Sequence, residues 1–312
     1  MPVVLGYGLA LWDLLAEPAE VDAWTPYPGG AGLNVACHLG RLGIPAALMA
    51  GIGQDEWGMQ LLQVLQNHQV DTGLIQSFAA PTRRVEVRRR AQGEREFVGF
   101  RPANCSTFAD ELVTFAAPPF IPQYVYIEAL VLASPAARAA CFQLVQWAVH
   151  QGARILVDVN WRPVFWTDAQ LARTLILELL QQVQAVKLTG DEAQWLLATD
   201  DPGAIQRRYP NLTQVLVTQG MHGCDYCIGP HQGHYPAFPV QAVDTTGAGD
   251  AFVAGWLYQW IAQGDDFMND VVQHHHALRW ASAVAAISTT APGAITQAPT
   301  PEKVQQFLTA HC

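Results

Sequence analysis

Lysine is nearly absent from this 312-residue chain, with Lys187 and Lys303 its only two. Neither follows a glycine, which excludes the phosphate loop that needs Gly-Lys-Ser/Thr. Positive charge is scarce in general: 17 Lys and Arg face 27 Asp and Glu, a net charge of −10. A nucleic-acid protein needs a basic surface, so that class is set aside. No apolar run approaches the ~20 residues of a membrane span, and no basic region precedes the apolar residues of "MPVVLGYGLALWDLL", so neither a membrane span nor a signal peptide is expected. The expected location is the cytoplasm. G-x-S-x-G is missing, which removes the hydrolase nucleophile elbow. "GYGLAL" (6–11) begins like a dinucleotide fingerprint but lacks its third glycine.

The six cysteines, at 37, 105, 141, 224, 227 and 312, are scattered and are expected to be thiols. Cys224 and Cys227 form a C-x-x-C inside "GCDYCIGP", which reads as strand and turn, and no second pair completes a zinc site. The consecutive His274, His275 and His276 fan out around a helix and read as helical surface.

What remains is a chain half of whose residues are hydrophobic, enough for a sizeable core. Strand-like runs at 3–11, 46–53, 124–132, 154–160, 185–190 and 214–220 alternate with helical patterns at 32–43 and 56–70 and in the later intervals. From residue 120 onward this rhythm reads as βαβ units and a parallel sheet. "RRVEVRRR" and "REFVGF" (83–90 and 95–100), joined by "AQGE", break it and read as a hairpin. Its arginines at 83, 84, 88, 89, 90 and 95 mark either a solvated strand face or a flap over a site.

The densest chemical signal is "AVDTTGAGDAFVAGWL" (242–257). "FPVQAV" reads as a strand and "DAFVAGWLYQWIAQG" as a helix, which makes "DTTGAGD" a strand-to-helix junction. Gly247 and Gly249 permit a sharp turn and close approach to a ligand. The first amides of a helix lack partners and favour an anion. Asp250, in the first turn, is favoured as a carboxylate able to accept a proton. An ordinary N-cap is the alternative.

"DTTGAGDAFVAG" resembles the C-terminal signature of the ribokinase-like (pfkB-type) sugar kinases. "GGAGLNVACHLGRLG" with "GIGQDEWG" (29–43 and 51–58) resembles their N-terminal signature. "DVNWRPVFW", "VKLTGDEAQWL", "VTQGMHG" and "APGAITQAPT" match further segments, so the resemblance spans nearly the whole chain. It implies a ribokinase-like, Rossmann-type α/β domain over 1–312: a central, mostly parallel sheet flanked by helices, with a small β-sheet lid from about 9–30 and 83–101. It also implies transfer of the γ-phosphoryl group of ATP, with Mg²⁺, to a sugar hydroxyl.

On that resemblance Asp250 is the catalytic base, and the amides of Gly247, Ala248 and Gly249 form the anion hole. Lys187, Thr218, Gly220 and Gly223 are nucleotide contacts. Asp244 and Thr246 belong to a monovalent-cation (K⁺) site, and Glu192 helps organise Mg²⁺ through water. Asp13, Gly29, Gly30 and Asn34, with Asn160 and Arg162 nearby, meet the sugar. Taken alone, Asn34 reads rather as a helix cap and Asp13 as a turn residue. A homodimer through the lid is expected.

Members that take phosphorylated sugars commonly carry "GGKG"; Ala31 stands here in place of that lysine, pointing to a neutral sugar. Fructose is the first choice, 2-keto-3-deoxygluconate the second because of the lid arginines, and ribose or a nucleoside the third. A non-catalytic sugar or nucleotide sensor would have lost the base or the glycines, and both are present.

Overall fold

The computed structural model describes residues 1–16, 24–89, 95–264 and 266–311. Arg90 and the joining "AQGE" (91–94), Cys312 and residues 17–23 of the expected lid lie outside the described residues. In chain order the strands are β1 (Val4–Tyr7), β2 (Leu11–Ala16), β3 (Thr25–Gly29), β4 (Ala46–Gly53), β5 (Ile75–Phe78), β6 (Arg84–Arg89), β7 (Arg95–Arg101), β8 (Tyr124–Glu128), β9 (Arg154–Asp158), β10 (Ala185–Thr189), β11 (Gln214–Thr218), β12 (Cys224–Ile228) and β13 (His231–Tyr235). The helices are α1 (Ala31–Arg41), α2 (Glu56–Asn67), α3 (Pro135–His150), α4 (Ala169–Leu180), α5 (Gly190–Leu197), α6 (Pro202–Arg208), α7 (Ala248–Gln263), α8 (Val271–Ser288) and α9 (Pro301–Ala310).

Nine strands form one sheet in the order β13-β12-β11-β10-β9-β8-β1-β4-β5. The seven strands from β11 to β5 pair in parallel, and β12 and β13 add an antiparallel edge. Side chains alternate between faces, and both faces are covered. Leu5, Tyr7, Val125, Ile127, Val157, Val186 and Val217 pack with α3 to α6. Val4, Tyr124, Tyr126, Leu156, Ala185 and Leu216 pack with α7, α8 and α9. This explains why the strands read as continuous apolar runs. The strand order reverses between β1 and β8, the place where such sheets open a crevice at their carboxyl ends.

A second sheet, in the order β3-β2-β6-β7, takes the expected hairpin as β6 and β7 and pairs β6 with β2 in parallel. Arg83, at its base, is not on a solvated face. It is 5% exposed, ion-pairs with Asp110 at 3.0 Å and with Glu111, and lies over the rings of Phe100, Phe108 and Phe165.

Three expectations are corrected. The run at 124–132 is not one strand: β8 stops at Glu128, and residues 129–133 form a 3₁₀ turn. β1, its neighbour, ends at Tyr7, so the ladder ends there too, although Leu130, Val131 and Leu132 stay buried and keep the apolar pattern going. "FPVQAV" is not a strand. The sheet's edge is taken by β13, and Pro236 and Pro239 cannot donate to a ladder. His274 is not on the surface. It is fully buried against Tyr226 and Phe267, while His275 meets the Tyr226 hydroxyl at 2.9 Å.

Candidate active site

The segment 242–247 reaches α7 as a loop, and the glycines at this junction have separate tasks. Gly247 is the N-cap residue, with φ of 71°, and a β-carbon there would lie 2.4 Å from Ala294 Cβ. Gly249 is the second helical residue, and its missing side chain leaves room for Lys187, whose Nζ would sit 3.0 Å from a β-carbon. The Ala248 amide already donates to Thr245 O at 3.3 Å. Of the three amides expected to hold an anion, it is therefore the one with a prior partner.

Asp250 is the third residue of α7, and its side chain makes no capping bond, so the ordinary-cap reading fails. Instead its Oδ2 accepts from Asn34 Nδ2 at 2.8 Å. Asn34 is likewise no cap: it lies inside α1, 3% exposed, with a buried Oδ1 that has no partner among the described residues. Gly30, not Asn34, stands at the α1 N-terminus, with φ of 89°. A β-carbon on Gly29 would lie 2.3 Å from Asp13 Oδ2, so Asp13 on β2 turns toward Gly29 rather than serving as a turn residue.

Two acids that sequence reasoning passed over lie at the centre. Glu128, the last residue of β8, accepts from the Leu9 amide at 2.9 Å and the Gly32 amide at 3.1 Å through Oε2, and from Asn160 Nδ2 at 2.8 Å through Oε1. Burial, aided by the Asp250 charge, lifts its pKa to about 7 against those hydrogen bonds. Asp158, the last residue of β9, receives Lys187 Nζ at 3.1 Å, and burial lifts it to about 6 against the pull of that ammonium. Burial opposes the charge of Lys187, but the carboxylates of Asp158, Glu192 and Asp250 together raise its pKa. A strand that ends on an acid at the sheet's carboxyl edge was the available signal for both residues.

Glu192 uses both oxygens on backbone amides, Trp161 N at 2.7 Å and Thr189 N at 2.8 Å, and completes a capping box with Thr189. Thr189 and Glu192 at that spacing are the capping-box signature, which the sequence reading did not use. Arg162, whose side chain is 56% exposed, donates to its neighbour's carbonyl and stays 4.0 Å from Glu192. Asp244 accepts from Thr246 N at 2.9 Å, Thr246 Oγ1 at 2.6 Å and Gly293 N at 2.9 Å. Thr218 Oγ1 donates to Leu188 O at 3.4 Å, and Gly220 and Gly223 shape the β11–β12 turn with φ of 57° and 108°. The structure thus joins Asn160 to Glu128 and Asn34 to Asp250, with Lys187 beneath Gly249, and leaves Thr218, Gly220 and Gly223 at the end of a strand two places from β9.

Such an arrangement holds a carboxylate beside a helix N-terminus and a buried ammonium, which suits transfer of an anionic group to a hydroxyl. Among the described residues no group of three or more His, Cys, Asp or Glu is placed to hold a metal ion.

The model of the pfkB family carbohydrate kinases matches residues 5–301. Fructokinase-1 of Zea mays is 36% identical, with 98% of this chain and 97% of that protein aligned. Fructokinase-1 of Oryza sativa subsp. japonica is 34% identical over the same shares. The crystal structure of fructokinase with bound ATP from Xylella fastidiosa superposes with a TM-score of 0.90 at 28% identity, covering 100% of this chain and 99% of that one.

Proposed function

The chain belongs to the pfkB family of carbohydrate kinases, and from that premise we propose that it phosphorylates D-fructose, giving fructose 6-phosphate. The reading rests on Asp250, held at 2.8 Å by Asn34 in the first turn of α7. Asp250 takes the proton of the attacking hydroxyl, a contribution of roughly 10²–10⁴-fold. The amides of Gly247 and Gly249 and the opening of α7 face the transferred group, and Lys187 adds positive charge from below. Asp13, Gly29, Gly30, Asn34 and Asn160 line the sugar's place, with the Asn34 Oδ1 ready to accept from a hydroxyl. Arg162, Thr218, Gly220 and Gly223 bind outer parts of the sugar and the nucleotide.

A neutral acceptor is favoured over 2-keto-3-deoxygluconate by the fate of two lid arginines. Arg83 is paired with Asp110 and Glu111, and Arg101 with Glu86 at 2.7 Å, so neither is left over for a sugar carboxylate.

The same reading takes the chain as one kinase domain with the four-stranded sheet as its lid. The exposed Phe97 and Val98 on its edge strand β7 support a homodimer through that lid. Mg²⁺ would supply charge neutralisation on the phosphates and would be held mainly by them and by water; Glu192, whose two oxygens each accept one backbone amide, would keep lone pairs to orient such a water. K⁺ held by Asp244 and Thr246 would share the Asp244 carboxylate with the Gly293 amide.

An ADP-release assay across fructose, 2-keto-3-deoxygluconate, ribose, glucose and adenosine, in K⁺ and in Na⁺, tests the acceptor and the K⁺ site. Fructose is expected to give the highest kcat/KM. A higher value for any other acceptor displaces fructose, and equal rates in both salts remove the K⁺ site.

A further inference from the structure

His38 takes no part in the chemistry above, yet it is fully buried and lies one helical turn beyond Asn34 on the same face of α1. Its Nε2 is 3.0 Å from Ala294 O. A carbonyl oxygen can only accept, so the ring donates from Nε2. Burial lowers its pKa to about 4, which leaves Nδ1 as a lone-pair nitrogen, without a partner among the described residues.

Ala294 is the residue that Gly247 packs against. A β-carbon on Gly247 would lie 2.4 Å from Ala294 Cβ and 2.9 Å from its Cα. The preceding amide, Gly293 N, donates to Asp244 Oδ2 at 2.9 Å, and Asp244 Oδ1 holds Thr246 N at 2.9 Å. The segment 293–295 is therefore the floor of the loop that opens α7. α1 reaches that helix terminus twice, directly from Asn34 to Asp250 and indirectly from His38 through Ala294 to Gly247.

We propose that His38 is a positioning residue for phosphoryl transfer, fixing the Ala294 carbonyl and thereby the 244–249 loop and the helix opening that carries Asp250. The proposal rests on the kinase reading of that loop. It assigns to α1 a part in shaping the phosphate side of the site as well as the sugar side.

The test compares His38→Leu, which removes the donor, with His38→Gln, whose amide nitrogen reaches the Nε2 position, and His38→Asn, whose amide nitrogen is too short to reach it. Loss of one buried hydrogen bond at the loop is expected to lower kcat roughly tenfold in the Leu and Asn variants. KM for ATP rises and KM for the sugar stays close to the parent's. His38→Gln recovers most of the turnover. Amide hydrogen exchange over 244–250, measured on the full chain without substrates, is faster in the Leu and Asn variants than in the parent and His38→Gln. Should His38→Leu fail to fold, the Gln and Asn pair carries the comparison. Equal turnover and equal exchange in those two, or a rise in sugar KM matching that for ATP, overturns the role. A parent chain that phosphorylates no sugar sinks the kinase reading instead, and the exchange data then decide the His38 linkage by themselves.

Discussion

Asn34 and Asp250 lie 216 positions apart and meet through one hydrogen bond of 2.8 Å, from Nδ2 to Oδ2. The bond engages Oδ2 and fixes the carboxylate at the opening of α7. It also joins the N-terminal and C-terminal signatures of the chain into one site. Asp250→Asn keeps a carbonyl oxygen for Asn34 but cannot take a proton. Turnover is expected to fall by roughly two to four decades while sugar and ATP still bind. Isothermal titration of both ligands beside steady-state kinetics checks this, and a near-parental kcat removes Asp250 from the base role.

The Asp158–Lys187 pair has a different dependence, because neither member is exposed enough for water to replace a lost partner. Lys187→Met leaves Asp158 buried and uncompensated near Glu192 and Asp250. Breaking such a pair costs on the order of 3–5 kcal/mol. Replacing both together, Asp158→Asn with Lys187→Met, is expected to cost clearly less than the sum of the single changes. Urea unfolding of the four proteins measures it. Additive losses would mean that the two side chains act separately.

Much of this was legible in the sequence. The apolar alternation placed β4 and β9 to β11, and the glycine spacing placed the start of α7. Asp250 could be singled out because its surroundings are local in the chain. Glu128 and Asp158 carried only one local sign, their place at a strand's end; what makes them matter is burial beside residues 32, 160 and 187, which only the strand order brings close. His274 misled for the same reason: helical spacing says which residues share a face, and packing decides which face is buried. "FPVQAV" shows the opposite failure, a sound local β pattern with no free strand beside it.

Glu128 makes the fold sensitive to pH. Its folded pKa of about 7 lies above the ordinary 4.5, so the native state holds the proton more tightly than the unfolded chain does. The stability it contributes is full below 4.5 and is lost as pH rises through about 7. The shift corresponds to on the order of 3 kcal/mol. Glu128→Gln carries no such proton, and Asn160 can turn its own amide to meet the new one. Its thermal midpoint is expected to fall less than the parent's across that interval. Parallel pH dependences for the two proteins would place the charge sensitivity elsewhere.

Arg83 ties the small sheet to the main body, since it precedes β6 and is gripped by Asp110, Glu111 and the rings of Phe108 and Phe165. A covering element excludes water only if its base is fixed. In Arg83→Met the aromatic contacts persist, but the guanidinium that orients them against Asp110 is gone. Burial already favours the protonated form of that acid, so the fold can tolerate the change by neutralising it. The expected result is a higher KM for the sugar and faster ATP hydrolysis in its absence, with a smaller change in kcat. Deleting the β6–β7 hairpin should push both quantities further the same way. If neither variant moves them, the sheet serves another purpose, such as the contact between two copies of the chain, and sedimentation of the Arg83→Met protein distinguishes that case by a loss of dimer.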